Sequence, residues 1–101
     1  MATVKIPTPL RRLTNEKDEV LTSAKNIAEM ISDLEKQFPG MQERLCDGDG
    51  AIRKFVNIYV NEEDIRFLSG PETEINDNDT VSIIPAIAGG IQLKKSFILL
   101  R

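Results

Sequence analysis

The sequence predicts a small α+β domain, with one helix packed across a mixed sheet of four or five strands. Three observations lead to it. Ile27, Met30, Ile31, Leu34 and Phe38 recur at helical spacing. Runs rich in β-branched or alternating apolar residues flank that stretch, at residues 3–6, 53–60 and 81–84. Clusters of Pro, Gly, Asn and Asp separate the runs and supply the turns.

Residues 3–6 alternate, with Val4 and Ile6 on one face and Thr3 and Lys5 on the other, which predicts a half-buried strand. Pro7 and Pro9 interrupt regular pairing. Leu10 and Leu13 keep apolar contact, Arg11 and Arg12 sit on a solvated turn edge, and residues 15–18 form a polar turn. Residues 19–22 then return as the second strand of a hairpin.

The helix has both ends marked. Asn26 caps its start, with Glu29 three residues on to complete a capping box. Pro39-Gly40 stops it, because proline cannot extend the hydrogen-bond ladder and glycine suits the cap region. A further short turn is expected over residues 41–45.

Residues 53–60, RKFVNIYV, form the strongest strand, with Val56, Ile58 and Val60 on one face and Phe55, Asn57 and Tyr59 on the other. The second face is then covered by a loop or left as a docking patch. A short strand over residues 65–67 and an acidic, turn-rich loop over residues 72–79 lead to the final strand at Val81.

The chain has no histidine, which excludes Ser-His and Cys-His nucleophile pairs and imidazole metal ligands. Its one cysteine, Cys46, lies beside Asp47 and Asp49, whose charges raise a thiol's pKa, so a structural role is expected. The DGDG run over residues 47–50 has the look of a calcium-loop fragment. The later acidic ligands are missing, however, and a turn is expected instead.

No run approaches the length of a membrane span, and the first residues lack an apolar signal core, so a cytoplasmic protein with no membrane partner is expected. Residues 1–90 carry ten Lys or Arg against all sixteen Asp and Glu, whereas residues 91–101 carry three cations and no acid. An acidic body argues against a nucleic-acid partner and favours a protein partner with a basic docking surface.

The stretch over residues 81–90, VSIIPAIAGG, runs from a β-branched strand through Pro85 into small residues and two glycines. It resembles the C-terminus of the ubiquitin-like sulfur carriers of the MoaD and ThiS families, and within them the carriers of cysteine synthesis. The segments TVKIPTPLRRLT, ISDLEKQF with Pro39-Gly40, RKFVNIYVNEEDIRF and DNDTVSIIPAIAGG follow that family's order and approximate spacing over residues 2–90.

The resemblance implies a β-grasp, or ubiquitin-like, roll in which the first and last strands run parallel at the sheet centre. It implies residues 1–90 as the carrier domain and a carboxylate on Gly90 as the working group. Ala88 and Gly89 would thread a narrow tunnel in an E1-like adenylating enzyme. ATP would activate Gly90, and a sulfur donor would convert it to a thiocarboxylate. A pyridoxal-phosphate-dependent enzyme would accept the sulfur, so ATP and pyridoxal phosphate belong to partners and this chain binds no cofactor itself. Phe55, Tyr59, Phe67, Ile84 and Ile87 are the expected docking residues.

The extension over residues 91–101 departs from the family pattern, because a peptide bond to Ile91 leaves Gly90 without a carboxylate. The leading expectation is a precursor cut between Gly90 and Ile91 by a protease of the JAMM metalloprotease type. A non-native appended segment and a permanent extra strand through SFILL remain open. Two further functional readings also stand: the small subunit of a molybdopterin synthase, and a ubiquitin-like protein modifier or non-covalent binding module.

Overall fold

The computed structural model describes residues 1–85. Strand β1 (Ala2–Lys5) leads into a 3-10 helix (Thr8–Thr14) and strand β2 (Glu19–Thr22). Helix α1 (Ile27–Gln37) and the short helix α2 (Met41–Leu45) follow, then β3 (Val56–Val60), β4 (Glu63–Asp64), two 3-10 helices (Ile65–Phe67 and Gly70–Glu72) and β5 (Thr80–Pro85). The five strands form one sheet in the order β2-β1-β5-β3-β4. β1 and β5 run parallel beside each other, and every other pairing is antiparallel. This is the β-grasp arrangement.

Burial follows the sequence periods. Val4, Val20, Ile58, Val60, Val81 and Ile83 turn inward from the sheet, and Ile27, Met30, Ile31 and Leu34 of α1 meet them. The helix starts as its cap residues dictate: Asn26 Oδ1 accepts the Glu29 N–H at 2.8 Å, and Glu29 Oε1 accepts the N–H of Lys25 at 3.1 Å. At its other end Gly40 takes φ 102°, which a residue with a Cβ rarely adopts. A second tie joins helix to sheet, where the buried Thr22 hydroxyl donates to Asp33 Oδ2 at 2.7 Å.

Three segments differ from the sequence expectation. Strand β3 begins at Val56, not Arg53, because the Val56 N–H turns back to the Arg53 carbonyl at 3.0 Å and places Lys54 and Phe55 in a turn. Residues 65–67 are a 3-10 helix, not a strand. Asp64 caps it by accepting the Arg66 N–H at 2.8 Å, which draws the chain out of the sheet after two residues of β4. Residues 8–14 also coil into a 3-10 helix, and Arg11 is half-buried with its Nε donating to the Ile6 carbonyl at 3.0 Å; Arg12 is exposed.

Candidate functional site

The candidate site is the end of β5, where the chain leaves the sheet. The strand enters under constraint: the Thr3 N–H donates to the Asp79 carbonyl at 2.9 Å, and the Asn61 N–H to the Thr80 carbonyl at 2.8 Å. Asn61 Oδ1 accepts the Thr80 N–H at 3.0 Å. Along its length β5 has neighbours on both edges, Lys5 opposite Ser82 in β1, and Tyr59, Ile58 and Asn57 opposite Ser82, Ile83 and Ile84 in β3. Pro85 stands opposite Val56 and has no N–H to carry the ladder further. Ile87, Ala88, Gly89, Gly90 and Ile91 lie outside the described residues, as does the whole of 91–101.

The expected docking residues do not form one cluster. Ile84 is 49% exposed, and because Ile83 and Ile58 point inward it shares the outer sheet face with the half-buried Tyr59. Phe55, 61% exposed, sits in the turn just before Val56 and so beside the end of β5. Phe67, 86% exposed, lies past β4 in the 3-10 helix at the far edge of the sheet. Its neighbour Leu68 is also exposed, a residue the strand reading over 65–67 passed over. An adjacent Phe-Leu pair inside a polar loop was the available signal. Beside them Arg66 grips Asp64, with Nη2 to Oδ2 at 2.6 Å and Nε to both carboxylate oxygens, and this holds the Asp64 carboxyl below its ordinary value.

The chain matches the ThiS family over residues 4–90. It is 49% identical over 90 residues to the sulfur carrier protein CysO of Mycobacterium tuberculosis, an alignment covering 87% of this chain and 97% of that protein. The chain belongs to the ThiS family. A putative sulfur carrier protein of Archaeoglobus fulgidus is 34% identical over 77 residues, 75% of this chain and 88% of that protein. In three dimensions the ThiS-family fold here matches CysO in the Amycolatopsis orientalis BexX/CysO complex with a TM-score of 0.83 at 41% identity, covering 89% of this chain and all of that one. The crystal structure of Mycobacterium tuberculosis CysO gives 0.82 at 46% identity, with 86% and 100% covered.

Within this ThiS-family body the only thiol is withdrawn from chemistry. Cys46 is buried, and desolvation first and the Asp47 charge second push its pKa up, with Arg53 opposing weakly. The DGDG segment is a turn: Asp47 Oδ1 accepts the Asp49 N–H at 2.9 Å and the Ala51 N–H at 3.2 Å. Among the described residues no group of three or more Cys, Asp or Glu side chains could hold a metal ion, and no helix is long and apolar enough to cross a membrane.

Proposed function

We propose that this chain is a sulfur carrier whose working group is the carboxylate of Gly90. The observation that carries the reading is the position of β5: the strand preceding the glycines is the middle strand of five and is tied at its start by Asn61, a rigid mount for whatever follows. Five residues separate Pro85 from Gly90, a length that reaches about 17 Å when extended, enough to enter a partner's tunnel. Membership of the ThiS family and the CysO relatives support it.

The chemistry follows from the carboxylate. Hydrolysis of the Gly90–Ile91 peptide by a JAMM-type metalloprotease frees it and releases residues 91–101. An E1-like adenylating enzyme then joins it to AMP from ATP with loss of pyrophosphate, turning a poor acyl donor into a good one. A sulfide sulfur adds to the acyl carbon and AMP leaves, giving the thiocarboxylate. A pyridoxal-phosphate-dependent partner takes that sulfur toward cysteine or a related thiol. Glycine fits because no Cβ obstructs the attack or the tunnel wall. The protein is a co-substrate in this scheme, and the cofactors are the partners'.

Intact mass of the protein from its native host, before and after incubation with the host adenylating enzyme, ATP and sulfide, tests it. A chain ending at Gly90 that exchanges one oxygen for sulfur supports processing and carriage together. A chain still ending at Arg101 that carries sulfur rejects the precursor step, and one that takes no sulfur in either form rejects the carrier. A second reading has its own support: a 33% identical relative over 64 residues is named small archaeal modifier protein 3, of Haloferax volcanii. Higher-mass conjugates lost on deleting Gly90 would favour it.

A further inference from the structure

The net charge of the body hides a separation along β5. The two strands that flank β5, with the connections at its exit end, are residues 2–14 and 51–60; they hold five cations, Lys5, Arg11, Arg12, Arg53 and Lys54, and no carboxylate. The connection at the entry end, residues 61–79, holds seven carboxylates and one cation, and that cation, Arg66, is paired with Asp64. The pairing register fixes which end is which: β1 runs parallel to β5, so Lys5 and the helix after it lie toward the exit, and Val56 opposes Pro85, so Arg53 and Lys54 do too. At the other end Asp77 meets the chain's first amino group at 3.4 Å, and Asp79 leads into β5.

The cations at the exit keep their charge available. Arg11 and Arg53 are fixed by donating to neutral carbonyls, those of Ile6 at 3.0 Å and Glu43 at 3.0 Å, so they are held in place without being neutralised. Lys5, Arg12 and Lys54 are exposed, and among the described residues none lies within ion-pair distance of a carboxylate. Glu19, opposite Lys5 in β2, is the one carboxylate that the register sets beside this group.

We infer that these residues form a positive collar around the emerging tail, and that the adenylating enzyme receives it with carboxylates around the mouth of its tunnel. The inference rests on the carrier reading above and reverses the expectation of a basic partner surface drawn from net charge. The approaching enzyme meets the collar first, while the acidic entry end faces away and disfavours docking in the inverted orientation. A collar of this kind acts on encounter: steering raises association rates by about tenfold or more and is screened by salt. Phe55 and Ile84, exposed between the cations, supply the apolar contact once the two surfaces meet.

The test is association of the protein, as isolated from its native host, with the host adenylating enzyme by stopped flow. It compares low salt, where the screening length is about 30 Å, with high salt, where it is about 3 Å. The variant Arg12→Glu with Lys54→Glu should associate at least about tenfold more slowly than the natural protein at low salt and converge with it at high salt. Glu62→Lys, at the entry end, should associate no more slowly than the natural protein. Equal rates for the double variant and the natural protein, or a loss that salt does not remove, overturn the collar and leave the carrier reading intact. No association by the natural protein overturns both.

Discussion

Asn61 Nδ2 lies 2.8 Å from Asp79 Oδ1, joining the turn after β3 to the residue before β5 across eighteen positions of chain. The same Asn61 side chain accepts the Thr80 N–H, and Asp79 Oδ2 accepts the Asn76 N–H at 2.8 Å. Asn61 also holds φ 50°, a left-handed conformation that asparagine tolerates better than most residues. Asn61→Ala therefore removes two hydrogen bonds and adds backbone strain, an expected loss of about 2 kcal/mol. Asn61→Gly removes the bonds but relieves the strain, and should cost about half as much. Urea denaturation of both variants checks this; equal losses would mean that the left-handed conformation contributes nothing.

Acid should weaken the fold through two carboxylates. Asp64 is held low first by the side-chain hydrogen bonds of Arg66, and Asp79 first by the Asn76 N–H and then by Asn61. Each folded value lies below the unfolded one of about 3.9, so the stabilisation is fully present above that pH and is lost as pH falls through the folded values. The urea midpoint should decline from about pH 4 downward. Asp64→Asn and Asp79→Asn should each start lower and decline less; an unchanged slope in both would show that other groups govern acid unfolding.

The helix, its caps and the alternating core faces of β1, β3 and β5 were legible because each rests on a local rule: Asn26 with Glu29, Pro39-Gly40, and a period of two or 3.6 among apolar residues. The segment over 65–67 was not, since Ile65 and Phe67 alternate like a strand while a single side-chain acceptor on Asp64 diverts the backbone. Phe55 was misplaced for a related reason: alternation from Tyr59 continues through it on paper, but the turn from Arg53 to Val56 breaks the period. Charge separation was invisible to net charge. It needs the register that sets Val56 against Pro85 and Lys5 against Ser82.

Cys46 should be inert in the folded protein. Its thiol is 5% exposed and its pKa is raised by burial and by Asp47, so the thiolate that alkylating reagents attack is scarce. Iodoacetamide should label native protein at least about tenfold more slowly than urea-unfolded protein at pH 8. Cys46→Ala should leave sulfur carriage unchanged. Rapid native labelling, or carriage lost in a well-folded Cys46→Ala protein, would give this residue a part that the Gly90 reading does not assign it.

The exposed apolar residues separate into a pair by the exit and a pair by the far edge. Ile84 and Phe55 flank the end of β5, while Phe67 and Leu68 stand past β4. An enzyme that draws in the chain beyond Pro85 must cover the first pair and can leave the second in solvent. Truncating both residues of the first pair, Phe55→Ala with Ile84→Ala, should weaken binding to the adenylating enzyme by at least about 2 kcal/mol, or roughly thirtyfold in Kd. Phe67→Ala should change it by less than about 0.5 kcal/mol. All three substitutions remove exposed side chains, so thermal stability should stay close to that of the natural protein. Calorimetric titration decides between the pairs: an equal or larger loss from Phe67→Ala would move the docking surface across the sheet to β4.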